Sequence, residues 1–439
     1  VNALFKLYEG RVAHEADLVC YWFEKARAMI EEKKMKRAGL LATQGIRGGA
    51  NREVLKRIKE SGDIFWAKSD RNWIQDGVAV HVSMIGFDNG TEKSHNLDDE
   101  PVRKINSDLT SLSDLTQAKQ LKENLNIAFM GVTPLGPFTV SALQVREWLA
   151  LPKNPNKRPN SDVIKQFVNA LDVMRRSRNV SIVDFGVGMP ESEAALYEAP
   201  FEYLREYVKP FRVQAKSGDR TGVPWWLHQR SRPNMREAIK NLKRYIATPG
   251  FAKHRIFVWL DKEVLPDHAL FVFARDDDFS FGVLHSKVHE LWARATGTQL
   301  REAESGFRYT PTSTFETFPF PHPTAKQKEA IALAAKELNE KRESWLNPYK
   351  DEPTAIHEDL KKRTLTNLYN EMPTWLQLAH EKLDHAVLDA YGWAHDISDD
   401  DILAKLLAEN LKRKPAQGRG AQEDDEEKPK KREEKRKKK

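Results

Sequence analysis

The sequence contains almost no cysteine. Cys20 is the single one among 439 residues, which excludes an internal disulfide framework and a cysteine-based zinc cage, because both need several thiols. Cys20 lies on the apolar face of a predicted helix, where we expect it to pack as a small core residue. This usage fits a reducing compartment such as the cytoplasm.

Long apolar runs and the short motifs of self-contained catalysis are also missing. No apolar stretch approaches the about 20 residues that a membrane span needs, so no membrane partner is expected. The sequence has no GxGxxG, Walker, HExxH or GxSxG motif. His285 and His289 have the spacing of metal ligands on a helix, but no third ligand accompanies them, and we expect no metal.

Positive charge is concentrated in two stretches. Residues 411–439 hold 13 Lys or Arg and 7 Asp or Glu, so this end supplies +6 of the net +7, and its composition predicts a disordered charged tail over 412–439. Residues 204–255, here called the basic island, hold 13 Lys or Arg against 3 Asp or Glu. The island favours a phosphate-facing surface, whereas cations spread over a solvated face are the alternative. Its candidates for phosphate contact are Arg220, Arg230, Arg232, Arg236, Lys240, Lys243, Arg244, Lys253 and Arg255.

The first region, residues 1–110, predicts an α/β fold. Apolar spacing and turn residues predict, in order, a helix over 14–33, a strand over 37–43, a helix over 52–61 capped by Asn51, and strands over 63–68 and 77–87. This order suits the second half of a Rossmann-like, doubly wound sheet that ends in an antiparallel hairpin.

Two further regions follow before the tail. Residues 111–323 predict an α+β domain with long loops, in which a buried-type strand from Phe279 leads into a helix that carries Trp292. Residues 324–411 predict a small helical bundle. Its helices are expected over 325–345, 358–371, 375–391 and 399–411.

Three runs in the first region resemble the later motifs of DNA amino-methyltransferases. They are ADLVCYWFEKA, RAGLLATQGIRGGANREVLKRI and NWIQDGVAVHVSMIGFD. The resemblance implies that Tyr21, Trp22 and Phe23 form a wall beside the adenine of S-adenosylmethionine, and that Trp73 stacks on the target base. Such a base must leave the duplex to reach a buried methyl donor, and a flat aromatic side chain can hold it. Alternatively, Trp73 only covers the strand hairpin.

The resemblance extends over residues 1–411, which are similar to the C-terminal part of the MmeI-like (type IIG/IIL) restriction–modification enzymes. The matching runs include RPNSDV, VDFG, EAALYEAPFEY, KHRIFVWL, FGVLHSKVHELWA, RYTPTSTFETFPFP and RTLTNLYNEMP. It implies late methyltransferase motifs followed by a target-recognition domain that binds double-stranded DNA. The family's Gly-rich loop and Asn-Pro-Pro-aromatic motif are not in this sequence, so we expect the chain to be inactive without the N-terminal half of the same protein or a separate catalytic subunit.

One segment has the mixture of donors and acceptors that reading of base edges needs. The run QLREAESGFR over 299–308 offers arginines that suit guanine and carboxylates that can accept from the cytosine amine. By resemblance, this segment holds specificity positions in the family; an exposed loop with internal ion pairs is the alternative. The candidate base contacts are Arg301, Glu302, Glu304, Ser305 and Arg308.

The sequence therefore leads to two functional hypotheses. In the first, the chain is a fragment of a site-specific DNA methyltransferase, adenine-directed by resemblance, in a restriction–modification system. In the second, it is a DNA specificity module that binds without chemistry beside a separate catalytic subunit. The upstream coding sequence would discriminate between them.

Overall fold

The computed structural model describes residues 2–75, 78–111, 114–214, 222–299, 307–349, 358–413 and 415. Its first region contains three helices and five strands: α1 (Asn2–Leu7), α2 (Val19–Glu31), β1 (Arg37–Thr43), α3 (Gly49–Ser61), β2 (Asp63–Gln75), β3 (Val78–Asp88), β4 (His95–Leu97) and β5 (Glu100–Val102).

The five strands form one sheet in the order β1-β3-β2-β4-β5. Strand β3 lies between β1 and β2 and is antiparallel to both, so β1 and β2 run parallel. Helices α2 and α3 bury their apolar faces with the sheet in one cluster that includes Phe23, Ile58 and Phe87. The prediction of half a doubly wound sheet that ends in a hairpin is confirmed.

Asn51 was predicted to cap the second helix, and this assignment is wrong. Helix α3 begins two residues earlier, at Gly49, so Asn51 lies inside it. Its side chain instead accepts a hydrogen bond from the Asp17 backbone N–H at 2.7 Å and donates one to the Asp17 carboxylate at 2.7 Å. The amide therefore ties α3 to the start of α2.

The second region is built from small sheets and short helices. One antiparallel sheet consists of β11 (Val258–Asp261), β10 (Arg244–Pro249), β13 (Leu270–Phe273) and β6 (Ala128–Met130), in that order. A mixed sheet consists of β12 (Val264–Pro266), β8 (Ile164–Val168), β9 (Ser181–Val183) and β7 (Thr139–Val140), and β14 (Thr298–Gln299) pairs with β15 (Phe307–Arg308). A π-helix over Leu204–Val208 joins α7 (Glu198–Tyr203) to α8 (Lys209–Gln214). The other α-helices are α4 (Ala142–Ala150), α5 (Ala170–Met174), α6 (Glu191–Ala194), α9 (Pro233–Ile239), α10 (Asp278–His285), α11 (Lys287–Thr296) and α12 (Pro311–Thr314).

The third region is helical, as predicted. Thr324 and Gln327 form a capping box that starts the long first helix. Apolar side chains from this helix, such as Ile331, pack with Phe273 of β13 and Phe281 of α10 in one core cluster. The third region therefore shares a core with the second region, residues 111–323, which is called the recognition region below. The helices are α13 (Ala325–Leu346), α14 (Leu365–Glu371), α15 (Thr374–Tyr391) and α16 (Asp399–Lys412).

The predicted strand at Phe279 is wrong, because this run forms helix α10. The Asp277 side chain caps the helix by accepting from the Ser280 N–H at 2.8 Å. Ser286 then ends α10 and caps α11. All six residues from Ser280 to His285 are buried, and an apolar run buried on every side does not show which periodicity it follows.

None of the helices in the described part of the chain combines the length and the apolar character that a membrane crossing requires.

Gly282 provides a test of the shared core. A Cβ at this position would lie 2.8 Å from Ile331 Cγ2 and 2.9 Å from the Cβ of Ala335. Helix propensity alone would make Gly282→Ala stabilising by about 1 kcal/mol. We expect the opposite sign, a loss of about 1–3 kcal/mol of unfolding free energy, because the core is overpacked.

Denaturant unfolding measures this change. The control is Gly188→Ala, where a Cβ would have no neighbour within 4 Å and a change within about 0.5 kcal/mol is expected. A stabilised Gly282→Ala would contradict the close approach of α10 to α13.

Candidate nucleic-acid interface

Trp73 lies on a two-stranded ribbon that projects from the first sheet. Strand β1 pairs with β3 only as far as Val82, whereas β2 and β3 continue to pair to Gln75 and Val78. Trp73 faces Val80 across this ribbon, and the tryptophan is 42% exposed. Its indole is therefore accessible to a ligand, and base stacking by this residue stays a prediction.

The three aromatic residues predicted to form the cofactor wall separate into two groups. Phe23 is fully buried and stacks near Phe87, and Tyr21 is buried beside Tyr8. Because their rings already fill the core, we reassign Tyr21 and Phe23 as core residues. Trp22 is 63% exposed and has the Lys25 ammonium 5.5 Å from its ring centroid, so of these three residues Trp22 is the one whose ring is open to a ligand, and its contact with a cofactor stays a prediction.

The glycine-bearing loop of the first region touches the recognition region. A Cβ on Gly48 would lie 3.6 Å from the Thr298 Cγ2 atom, and one on Gly49 would lie 3.9 Å away. Gly49 has a φ of +56°, which side chains rarely adopt. Arg47 anchors the same loop by donating to the Asp108 carbonyl at 3.1 Å. The loop that follows β1 and the start of β14 are therefore neighbours.

The prediction of phosphate contact is wrong for Arg232 and Arg255, which are 9% and 6% exposed. Arg232 donates to the Gly131 carbonyl at 3.1 Å. Arg255 donates to the Thr248 hydroxyl at 3.0 Å and the Pro249 carbonyl at 2.5 Å, and burial lowers its pKa to about 10. Both guanidinium groups therefore form hydrogen bonds within the protein and do not face solvent.

Three further cations of the basic island are held by carboxylates. Arg236 binds both oxygens of Asp184, at 2.8 and 3.0 Å; burial alone would raise the pKa of Asp184, but the Arg236 charge holds it below its ordinary value. Arg244 lies 3.8 Å from the Trp259 ring centroid and binds Asp278 at 2.9 Å. Lys240 pairs with the exposed Glu237. The pairings with Asp184 and Asp278 could not be predicted from the sequence, because both acids lie far from their partners along the chain.

The remaining island cations stay candidates for phosphate contact. Lys243 and Lys253 are exposed, and Lys253 donates to the Asn370 amide oxygen at 3.1 Å. Arg230 is half-buried, and its backbone forms a bridge with Thr133. Arg220 lies outside the described residues.

Of the predicted base-reading segment, the structure describes the two ends. Arg301, Glu302, Glu304 and Ser305 lie outside the described residues. Arg308 is exposed on β15, opposite Thr298 of β14, while its neighbour Phe307 points into the core. Thr298, which also touches the Gly48 loop, was missed by sequence reasoning, since nothing in its local pattern sets it apart.

The two histidines with metal-ligand spacing are buried and bonded within the protein. His285 Nε2 accepts from the Phe257 N–H at 3.1 Å and from Arg342 at 2.8 Å. His289 lies 2.9 Å from the Leu284 carbonyl and 3.1 Å from the Tyr309 hydroxyl. Among the residues that the structure describes, no group of three or more His, Cys, Asp or Glu could hold a metal ion.

Comparison with known proteins gives three findings. Residues 233–322 match the family model of the MmeI target recognition domain. A DNA methyltransferase, DNA methyltransferase A of Bacillus subtilis (strain 168), is 28% identical over 156 residues, which are 34% of this chain and 16% of that protein. The type IIL restriction–modification enzyme MmeI, solved in complex with DNA, matches 94% of this chain and 54% of its own, with a TM-score of 0.72 and 21% identity.

These findings confirm the resemblance to MmeI-like restriction–modification enzymes and the fold that it implied. The chain has methyltransferase homology and a target recognition domain of the MmeI type over residues 233–322. It spans about half the length of the MmeI chain and a smaller share of the Bacillus methyltransferase.

Buried histidines under the recognition region predict a pH-dependent stability. Burial lowers the pKa of His289 to about 3 and that of His380 to about 4, while the unfolded chain binds these protons near pH 6.5. The contribution of the two neutral rings to the free energy of unfolding is therefore complete above pH 6.5. It decreases as the pH falls towards 4, by at most about 1.4 kcal/mol per pH unit for each ring.

Unfolding midpoints between pH 7 and 5 test this expectation. His289→Gln should be less stable at pH 7 but should take up about one proton fewer on unfolding at pH 5. The control is His322→Gln, which removes an exposed ring. An unchanged pH slope in His289→Gln would contradict a neutral buried imidazole.

Proposed function

We propose that the chain is the target-base and recognition part of a site-specific DNA methyltransferase of a restriction–modification system, acting on adenine in duplex DNA in the cytoplasm. The observation that supports this proposal is the proximity of the Gly48 loop to Thr298, since a Cβ on Gly48 would lie 3.6 Å from the Thr298 Cγ2 atom. The loop after β1 in the methyltransferase-like region therefore lies near the ribbon that bears Arg308. An enzyme that reads a sequence and extrudes one base needs these two regions side by side.

The chain's own residues would position the two reactants. S-adenosylmethionine supplies the methyl group when bound, and Trp22 would pack against its adenine. Trp73 would stack on the flipped base, since aromatic stacking offsets part of the cost of unpairing. The exposed Trp22 would cover one side of the cofactor. The other contacts to the cofactor would come from the N-terminal half of the same protein or from a separate catalytic subunit.

The edge of the first sheet supports such a partner. Strand β1 is an end strand of its sheet, and on the side away from β3 it has no hydrogen-bonded strand among the described residues. Open edges offer a row of backbone donors and acceptors to another strand. The N-terminal half of the same protein, or a separate catalytic subunit, would continue the sheet there and supply the Gly-rich loop.

A non-catalytic specificity module remains the second candidate. The observation that favours it is the absence of the Asn-Pro-Pro-aromatic motif from the 439 residues. The two candidates share the recognition surface and differ in whether Trp22 and Trp73 have ligands, so binding to a base analogue separates them.

The first test is binding of the chain to a labelled random duplex as a function of salt, with single-stranded RNA as competitor. Lys243→Ala and Lys253→Ala should each weaken binding about equally for all sequences and reduce the slope of log K against log salt by about one, because each removes a phosphate contact. Binding that is insensitive to salt would overturn the phosphate-facing surface.

Lys336→Ala is the matched control for this test. Lys336 is an exposed lysine on α13 whose ammonium lies 3.8 Å from Glu340. Its loss should change neither the affinity nor the salt slope. An equal effect of all three substitutions would mean that net charge, and not position, governs binding.

The role of Trp73 is tested on duplexes that carry an abasic site in place of each adenine in turn. Trp73→Ala should weaken binding to the intact duplex about tenfold or more, since stacking on one base is worth about 1–3 kcal/mol. This loss should vanish on the duplex whose target adenine is missing. Trp73→Phe should restore most of the affinity, and a loss that persists on every abasic duplex would favour a role in the hairpin alone.

A further inference from the structure

Phe251 is an exposed aromatic residue beside the two-stranded ribbon formed by β14 and β15, called the recognition ribbon below. It follows β10 and is 51% exposed. A single exposed apolar side chain is common and needs no explanation. The position of Phe251 beside Arg308 is a second observation, and it indicates that the exposed ring has a function.

Backbone pairing places Phe251 and Arg308 together on the outer face. The two residues form an antiparallel bridge, and the adjacent Tyr309 N–H donates to the Gly250 carbonyl at 2.9 Å. Because side chains alternate along an extended strand, Phe307 and Tyr309 point inward, where both are buried. The Arg308 guanidinium carbon lies 5.6 Å from the Phe251 ring centroid, within the range of a cation–π contact.

The buried Arg255 supports the pairing of Phe251 with Arg308 from the interior side. Its guanidinium carbon lies 5.1 Å from the ring centroid of Phe307 and 4.9 Å from that of Tyr309, and it donates to the Pro249 carbonyl at the end of β10. One side chain therefore fixes both the strand that precedes Phe251 and the strand that carries Arg308.

We propose that Phe251 and Arg308 act as a pair that reads a thymine next to a guanine in the major groove. The proposal rests on the proposed DNA-recognition function. A guanidinium packed against an aromatic ring loses little further freedom on binding, and an arginine suits the O6 and N7 acceptors of guanine. Phe251 offers the apolar contact that distinguishes thymine by its methyl group.

Charge around the pair suits its approach to DNA. The neighbouring described cations are Arg294, whose guanidinium donates to the Lys253 carbonyl at 3.4 Å, and Lys253 itself. Arg294 also pairs with Glu290 at 2.6 Å. Arg308 is thus the cation shown against the Phe251 ring, and Lys253, two residues further along the chain, is exposed and able to contact a phosphate.

The test begins with selection of preferred sequences from random duplexes by the wild-type chain. Each thymine of the selected site is then replaced by deoxyuridine, which removes only the methyl group. At one position the wild type should lose about fourfold in affinity, the effect of one buried methyl group. Phe251→Ala should bind the thymine and deoxyuridine duplexes with equal affinity.

Arg308 variants test the other half of the pair. Arg308→Ala should lose about tenfold or more in affinity and the preference for the guanine beside that thymine. Arg308→Lys should regain affinity without regaining the preference, since it keeps the charge but not the two-pronged donor. Leu333→Ala removes an exposed leucine from α13 and should leave both profiles unchanged.

The outcomes separate this inference from the proposed function. Sequence-specific binding with the same deoxyuridine profile in Phe251→Ala and in the wild type overturns the role of Phe251 and leaves DNA recognition intact. Absence of any duplex binding by the wild type overturns both. Thermal unfolding of each variant shows that a lost preference does not come from a lost fold.

Discussion

The recognition region depends on the burial of the Arg342 guanidinium where three elements meet. Arg342 projects from α13 and is 1% exposed. It donates to the Phe257 carbonyl at 3.0 Å, to His285 of α10 at 2.8 Å and to the Tyr369 hydroxyl at 3.3 Å. A buried charge is costly unless its donors are satisfied, and here both terminal nitrogens have acceptors while Nε has none among the described residues. Because these acceptors come from the residue before β11, from α10 and from α14, a change in the arrangement of these elements would leave more of the buried guanidinium without partners.

Arg255 applies the same constraint nearer the surface. Arg342 fixes the carbonyl of Phe257, and Arg255, two residues earlier in the chain, fixes the end of β10 and the rings of Phe307 and Tyr309. Interior arginines thus support the strand that carries the exposed Arg308. The base contact that we propose for Arg308 would need such support, because a loosely held donor cannot discriminate between bases.

The sequence predicted the helices that are buried on one side only, because one-sided burial produces a periodic spacing of apolar residues. Helices α13, α15 and α16 each have one buried and one exposed face, so apolar spacing identified them. The hairpin was identified only in part, because β2 continues to Gln75 beyond the predicted end at residue 68. Sequence reasoning failed at α10, which is buried on every side. It also counted Arg255 as a surface cation, because local composition does not reveal whether an arginine faces solvent or the rings of Phe307 and Tyr309. Trp22 could be separated from Tyr21 and Phe23 only once helix α2 was packed against its sheet.

The approach of the Gly48 loop to Thr298 brings the first and second regions of the fold together. Thr298 pairs with Arg308 across the recognition ribbon, and its methyl group lies next to Gly48. A Cβ on Gly48 would lie at ordinary van der Waals distance, 3.6 Å, from the Thr298 Cγ2 atom, so the two regions lie close together here, while the φ of +56° at Gly49 is what favours glycine at that position. Any displacement of the ribbon formed by β14 and β15 would therefore change its spacing to the loop after β1. The first and second regions of the fold thus constrain each other where one glycine-bearing loop approaches one threonine side chain.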